Sequence, residues 1–237
     1  MTIQKIQDFF QKKQVRLILL AIGSLFIMFL FLILSIQPSE KKAEPPSQIN
    51  LQKPVQTTIP ATDASGLLYR SNGDGSCTVM GMGTCTEQEL TIPRKSPEGE
   101  LVIAIGERAF SECESLLSVT LPACIQKIGN AAFMGCSSLV NIDVDRDNEN
   151  FCSINGVLYS KNKSILLCYP SNRNGNKYLL NSNIEQVASY AFYGNRNLQH
   201  ILYEKTVDSF RDIKIDEGNS LLSTVTITCN YTVSAKG

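Results

Sequence analysis

The stretch that decides the fold runs from residue 105 to residue 144 and contains one pattern twice. The first copy reads IGERAFSECESLLSVTL over residues 105–121, and the second reads IGNAAFMGCSSLVNIDV over residues 128–144. The copies are displaced by 23 residues and share Ile, Gly, Ala, Phe, Cys and Leu at matching positions. A repeat of this length is typical of solenoids, in which each unit buries its apolar face against its neighbours.

Each repeat has a recognisable internal order. An apolar pair with i, i+3 spacing leads into an Ala-Phe turn, at Val102/Ile105, Ile125/Ile128 and Ile184/Val187. Alternating apolar residues then predict a strand with one buried face, at Leu116/Val119/Leu121, Leu139/Ile142/Val144, Leu198/Ile201/Tyr203 and Leu222/Val225/Ile227. We expect these strands to stack into a parallel sheet over a buried column of Phe110, Phe133 and Phe192. Each Phe is expected on a short helical or irregular turn that precedes the strand.

Two segments depart from the regular repeat. Residues 67–93 predict an entry hairpin with a turn at Asn72-Gly73-Asp74-Gly75, followed by a strand that contains Leu90 and Ile92. The second and third Ala-Phe turns are 59 residues apart, which leaves 36 extra residues. That extra piece predicts two or three strands of a hairpin that is inserted into the solenoid or continues it.

Six of the eight cysteines form three pairs whose positions can be interpreted. Cys113 and Cys136 lie in repeat register, which favours packing as small buried thiols, and Asn195 takes their place in the next copy. Cys77 and Cys85 flank the second arm of the entry hairpin, and we expect a disulfide there in an oxidising compartment. Cys152 and Cys168 are either bonded across the inserted hairpin or two free thiols.

These residues resemble the BspA-type, or treponemal, leucine-rich repeats of surface proteins. The resemblance covers residues 66–237 and is carried by the phrase at 105–121 and 128–144 and by INGVLYSKNKSILLCYP at 154–170. Residues 203–216 are similar to the family's C-terminal cap, although Lys205 and Phe210 replace its usual Gly and Trp. The resemblance implies an α/β fold leaning towards all-β, a curved right-handed solenoid with short strands and short helical turns. It also implies protein binding or adhesion at a cell surface.

The N-terminal part predicts a membrane anchor. Residues 17–36 carry no charge and would span roughly 30 Å as a helix, which matches a bilayer core. Lys5, Lys12, Lys13 and Arg16 precede the segment, so we expect residues 1–16 in the cytoplasm and the repeat domain outside the cell or in the periplasm. Residues 37–65 hold five of the nine prolines and no aromatic residue, which predicts a disordered linker.

Catalytic and cofactor patterns are sparse. A net charge of zero gives no footprint for nucleic acid, and a single His200 restricts nucleophilic chemistry to a pairing with Cys113 or Cys136. The acidic run at 143–149 imitates a calcium loop, but Asn148 and Ile154 stand where that loop needs Gly and Glu. We therefore expect no enzyme, no cofactor and no metal site.

The predicted binding surface is the outward face of the strands. It comprises Ser118, Thr120, Asn141, Asp143, His200, Leu202, Tyr203, Thr224 and Thr226. Solenoids bind through such extended faces, and the spot around His200 and Leu202 carries the apolar and aromatic groups typical of interfaces. The sequence predicts a membrane-anchored surface protein that binds an extracellular protein or a host-surface ligand. The alternative is a structural envelope component that associates with itself or with wall polymer.

Overall fold

The computed structural model describes residues 61–62 and 66–232. The segments predicted as cytoplasmic (1–16) and transmembrane (17–36), and most of the predicted linker (37–65), lie outside the described residues. Within the described ranges, no helix combines the length and the apolar character needed to cross a bilayer.

The folded part opens with an antiparallel layer. Strands β1 (Ala61–Thr62), β2 (Leu68–Ser71) and β3 (Ser76–Gly81) pair in chain order, so Ala61 and Thr62, which lie in the linker predicted to be disordered, form a strand. In the turn between β2 and β3, the Ser76 N–H donates to Asp74 Oδ1 at 3.0 Å. The predicted entry hairpin is therefore confirmed.

The first coils of the solenoid alternate between two sheets. Sheet I consists of β4 (Glu89–Thr91), β6 (Ser118–Leu121) and β8 (Asn141–Val144), all parallel. Sheet II joins β3 to β5 (Leu101–Ile105) and β7 (Lys127–Ile128), again parallel. Each coil thus contributes one strand to each sheet, and the apolar side chains between the sheets form the core.

The extra residues between the second and third Ala-Phe turns form both an insertion and a further coil. Strands β9 (Phe151–Ile154) and β10 (Val157–Ser160) make an antiparallel hairpin, and β11 (Ile165–Cys168) pairs antiparallel with β10. The hairpin turn uses Asn155 and Gly156, both with positive φ, as a tight two-residue hairpin requires. From β11 onward the chain resumes the coil pattern.

The later coils again build two sheets. Sheet III consists of β12 (Lys177–Leu180), β14 (His200–Tyr203) and β16 (Thr226–Thr228), all parallel. Sheet IV extends from the β9–β10–β11 layer through β13 (Gln186–Val187) to β15 (Lys214–Ile215), with the last three strands parallel. Helix α1 (Val207–Arg211) and a 3₁₀ helix (Ser220–Ser223) lie in the last coil.

One detail of the repeat differs from the sequence prediction. The i, i+3 pairs do not lead directly into a turn, because Ile105, Ile128 and Val187 end a second short strand in each coil. Of the two predicted turn types, helical or irregular, the Ala-Phe turns are irregular. They have positive φ at matching positions, which are Arg108, Ala131 and Tyr190 and then Glu112, Gly135 and Gly194. Their backbones form a third ladder, in which Arg108 N–H donates to Asn130 C=O (3.0 Å) and Phe110 N–H to Ala132 C=O (2.8 Å).

The predicted aromatic interior is present. Phe110, Phe133 and Phe192 are all buried, and the first two rings stack with centroids 5.5 Å apart. Tyr169, which the sequence did not place in the column, takes the Phe position of the intervening coil and stacks on Phe192 at 5.1 Å. The interior is therefore aromatic in four coils.

Buried asparagines close three of the coils. Asn148 donates to Pro122 C=O (3.1 Å) and Ile125 C=O (3.0 Å), and its Oδ1 accepts from the N–H groups of Asn150 and Phe151. The side chains of Asn195 and Asn219 bind backbone groups in the same manner. Each amide satisfies backbone polar groups where the chain turns inside the protein, where an unpaired group is costly.

Candidate binding surface

Sheet I presents a polar outer face. Ser118 pairs with Asn141, and Thr120 pairs with Asp143, in adjacent parallel strands. Their side chains are half-buried or exposed, while the alternate residues Val119 and Ile142 are fully buried. The four predicted residues therefore do lie together on one outward face.

Sheet III presents a different outer face. One row across its strands runs Lys177–His200–Thr226, and the next runs Leu179–Leu202–Thr228. The side chain of Leu179 is 43% exposed and Leu202 is half-buried, so two leucines on adjacent strands form an apolar spot in contact with solvent. Lys177 and His200 lie beside this spot and give it a polar border.

Two predicted surface residues are placed elsewhere. Tyr203 is only 1% exposed and packs edge-on against Phe210 at 5.6 Å, because strand alternation that turns Leu202 outward turns Tyr203 inward. Thr224 is exposed but precedes β16, and its hydroxyl donates to Leu221 C=O at 2.8 Å at the end of the 3₁₀ helix. Neither residue belongs to the outer face of sheet III.

Leu179 is not among the predicted surface residues. The sequence predicts residues 177–180 as part of a hairpin that is inserted into the solenoid or continues it, and in the structure they form β12, the first strand of sheet III. The signal was available in the sequence, because KYLL at 177–180 has the same inward-outward order as HILY at 200–203. Both segments place an apolar residue at the third, outward position.

The repeat pattern itself was compared with known proteins. The model of the BspA-type leucine-rich repeat region matches residues 84–234, with six copies. The chain belongs to the BspA-type leucine-rich repeat family. A comparison with curated protein sequences finds no significant match.

Several solved leucine-rich repeat proteins are similar to part of the chain. A leucine-rich repeat protein from Eubacterium ventriosum is similar to 60% of this BspA-type chain, with 16% identity and a TM-score of 0.34, and the match spans 59% of that protein's length. The leucine-rich repeat protein of T. pallidum matches 67% of the chain and 82% of its own length, with 17% identity and a TM-score of 0.42. One from Bacteroides capillosus matches 60% of the chain and 96% of its own length, with 19% identity and a TM-score of 0.40.

The cysteines of this BspA-type domain are free thiols. The expected Cys77–Cys85 bond is absent because β3 extends away from Cys77, by about 13 Å over its four following residues, before the chain turns towards Cys85. Cys152 and Cys168 also stay apart, because β10 lies between their strands β9 and β11. Two strand spacings amount to about 10 Å, beyond the reach of a disulfide.

Four thiols instead follow the coils through the interior. Cys136 Sγ donates to Phe110 C=O of the preceding coil at 2.9 Å, and burial raises the pKa of Cys136 to about 12, with the Cys113 thiol adding to the effect. Burial also raises the pKa of Cys113, with Cys85 nearby, and that of Cys168, with Cys136 nearby. A raised pKa suppresses the thiolate, so Cys113, Cys136 and Cys168 are poor nucleophiles and poor metal ligands.

The structure does not bring together the residues of the two chemical sites considered from the sequence, the pair of His200 with a cysteine and the calcium-loop-like run at 143–149. His200 points outward from sheet III, whereas Cys136 is buried in an earlier coil, so the two do not form a nucleophile–base pair. The acidic run leaves sheet I in a turn in which Asp147 N–H donates to Asp145 Oδ1 and Asn148 faces the interior. Over residues 61–62 and 66–232, no three His, Cys, Asp or Glu side chains converge as metal ligands would.

Proposed function

We propose that this BspA-type protein is anchored in a membrane by residues 17–36 and binds a partner protein outside the cytoplasm without catalysing a reaction. The observation that carries the binding part is the pair Leu179 and Leu202, adjacent on the outer face of sheet III, with Leu179 exposed and Leu202 half-buried. Solenoid proteins use such extended faces to bind their partners.

The composition of this face fits a protein interface. The two leucines form an apolar centre, and Lys177, His200 and Thr226 border it with polar groups. Interfaces commonly combine an apolar centre with a polar rim. Burying a leucine side chain fully contributes about 1.5–3 kcal/mol, so two partly exposed leucines supply a useful part of a binding free energy.

The anchoring part is supported by the sequence of the N-terminal region. The 20 uncharged residues at 17–36 match the thickness of a bilayer core, and Lys12, Lys13 and Arg16 precede them directly. The excess of positive charge on that side favours a cytoplasmic N-terminus. The sheets and their outer faces then lie outside the cell or in the periplasm.

A pair of matched variants tests binding. The full-length protein, the Leu179→Ser/Leu202→Ser variant and the Thr91→Ala/Thr120→Ala variant on sheet I are each used to capture proteins from the cell's surroundings. We expect one partner to be retained by the wild type and by the sheet I variant but lost from the sheet III variant. If the wild type and both variants retain only other copies of the same chain, and to the same extent, the protein is a structural envelope component and the proposal is contradicted.

Membrane topology is tested separately. A cysteine-free variant that carries a single exposed cysteine, introduced by Asn183→Cys, is treated on intact cells with a thiol reagent that does not cross membranes. We expect this cysteine to react in intact cells, whereas one introduced by Gln11→Cys reacts only after lysis. For a periplasmic domain, the same contrast is expected once the outer membrane has been permeabilised. Reaction in the opposite order would overturn the proposed orientation.

A further inference from the structure

A cleft opens where the Ala-Phe ladder is interrupted. The enclosed part of the cleft has a volume of about 40 Å³, and the space between its walls reaches about 400 Å³ when the solvent at the open mouth is counted. The two walls are the turns at 128–134 and 188–190. Leu158, Leu167 and Cys168 form the floor. We call this cleft the slot.

The slot exists because one coil is two residues short. In the regular coils the chain takes five residues from the Ile or Val of the strand in sheet II or IV to the stacked aromatic ring, as from Ile105 to Phe110 and from Val187 to Phe192. Leu166 lies opposite Val187 in the sheet register, and the chain takes only three residues from Leu166 to Tyr169. The hydrogen bonds at both ends of this short turn are regular, since Leu166 C=O accepts from Ala188 N–H and Tyr169 N–H donates to Ala191 C=O.

The missing residues leave an acceptor without a donor on one wall. In the regular ladder, Arg108 N–H donates to Asn130 C=O of the next coil. Ser189 occupies the position of Asn130 two coils later, and the short turn has no counterpart of Arg108. Among the residues that the structure describes, no backbone or side-chain group donates to Ser189 C=O.

The opposite wall has donors without acceptors. The alternate N–H groups of the first turn, at Arg108, Phe110 and Glu112, all donate to the next coil. Their equivalents in the second turn that line the slot are Ala131 and Phe133. No carbonyl within residues 61–62 and 66–232 accepts from either of them.

A single trans peptide group complements both walls at once. Its C=O and N–H point in opposite directions, so one group can accept from Ala131 N–H and donate to Ser189 C=O. The walls belong to coils two strand spacings apart, about 10 Å, which leaves room for one extended backbone between them. The apolar floor suits a small or aliphatic side chain.

We propose that the slot binds one extended segment of a partner polypeptide, which completes the interrupted ladder by β-augmentation. This site is separate from the outer face of sheet III and does not depend on the function proposed for that face. The bound segment contributes at least one peptide group to Ala131 and Ser189 and places an aliphatic side chain on Leu167.

The probe is the capped peptide acetyl-Gly-Ala-Val-Ala-Gly-amide, added to the full-length chain labelled with ¹⁵N at Ala and Phe and kept in a mild detergent. We expect saturable shifts of the Ala131 and Phe133 amide signals in NMR spectra. An analogue with an ester in place of the central valine amide lacks the donor for Ser189 C=O, and we expect it to bind about fivefold more weakly.

Two variants and one control complete the test. Leu167→Trp fills the slot from its floor, and insertion of Gly-Asn after Leu167 restores the regular turn length, so we expect loss of peptide binding in both. Leu117→Trp, the same change at a half-buried position that does not line the slot, retains binding. The melting temperature and the amide spectrum of each variant show whether it is folded.

Three results would overturn this proposal. The first is the absence of any saturable shift with the wild-type chain. The second is equal binding of the peptide and its ester analogue. The third is strong protection of the Ala131 and Phe133 amides from hydrogen exchange in the free chain, because a segment of the same chain would then already fill the slot.

Discussion

The ring of Phe133 lies on the ring of Phe110 with centroids 5.5 Å apart and planes only 10° apart. The residues are 23 positions apart in sequence, so the contact links successive coils directly. Stacking of this kind adds about 0.5–1.5 kcal/mol to the free energy gained from burying the rings. The Ala-Phe ladder holds the two backbones in register at this point.

The first prediction concerns this contact. Phe133→Ala removes a buried ring and leaves a cavity, and we expect it to lower the free energy of unfolding by about 3–5 kcal/mol. Urea denaturation monitored by circular dichroism measures the change. Tyr193→Ala, at a ring that is 43% exposed, serves as the control and should change stability by less than about 1 kcal/mol. Equal losses for both variants would contradict an interior position for Phe133.

The second prediction concerns the buried amide of Asn148. In Asn148→Asp, a carboxylate faces the carbonyl oxygens of Pro122 and Ile125, to which the amide donated at 3.1 and 3.0 Å. We expect a loss of about 2–4 kcal/mol at pH 7, because two buried acceptors lose their donors and a charge is buried near them.

The pH dependence of this variant has a definite sign. Full burial and the two carbonyl groups raise the pKa of the introduced carboxyl group above its ordinary value of about 4, and we expect this effect to exceed the lowering by the Asn150 and Phe151 N–H groups that donate to Oδ1. The folded state then holds a proton that the unfolded state releases, so the variant loses stability relative to the wild type as pH rises above about 4. Denaturation at pH 3.5 and pH 7 measures this, with the exposed Asn183→Asp as control. A deficit that is the same at both pH values would contradict the burial of an ionisable carboxyl group.

The third prediction concerns the glycines of the repeated Ile-Gly pair. A Cβ atom on Gly129 would lie 2.3 Å from Glu107 N and 2.6 Å from Gly106 C, both backbone atoms of the preceding coil. A Cβ on Gly106 would meet Met80 Sδ at 3.1 Å and Val79 O at 3.2 Å, and the methionine end can move. We therefore expect Gly129→Ala to lower the melting temperature clearly more than Gly106→Ala. The reverse order would contradict the close approach of these coils.

The fourth prediction concerns Cys136 at alkaline pH. The pKa of its thiol is about 12 in the folded protein and 9.0 ordinarily. Between these values the unfolded state releases a proton that the folded state keeps, so stability falls with rising pH by up to about 1.4 kcal/mol per pH unit from this group. Cys136→Ser keeps a donor for Phe110 C=O and does not titrate there. We expect its stability to decline less than that of the wild type between pH 8 and pH 10.5, as measured by denaturation, and an equal decline would contradict the burial of the thiol.

The sequence predicted the parts of the fold that repeat. The 23-residue spacing predicted that Phe110 and Phe133 lie in the interior and that Leu121 and Val144 lie on neighbouring strands. Residues separated by one repeat length are in register in a solenoid. The second strand of each coil was not predicted, because β7 and β13 are only two residues long and too short to show alternation.

The errors arose where the repeat is broken. Tyr169 replaces Phe after a turn two residues shorter, so its place in the column could not be read from a fixed spacing. Tyr203 was counted with the surface next to Leu202, although alternation already required it to point inward. The predicted disulfide positions flank the second arm of the entry hairpin (Cys77 and Cys85) and face each other across the inserted hairpin (Cys152 and Cys168). In the structure the extended strand β3 separates the first pair, and β10 lies between the strands of the second.

The binding surface was predictable only in part. The polar residues of sheet I and His200 with Leu202 lie on the outward faces as expected. Leu179 and the slot depend on how the inserted hairpin and the short turn fit between coils, and single-sequence spacing does not give that arrangement.

Site-specific photo-cross-linking in intact cells tests the central claim most directly. A photoreactive amino acid replaces Leu202 on sheet III in one variant and Thr120 on sheet I in a second. The account predicts that position 202 gives a cross-link to one foreign protein and that position 120 does not. Cross-links from both positions alike, or from position 202 only to other copies of this chain, would contradict it.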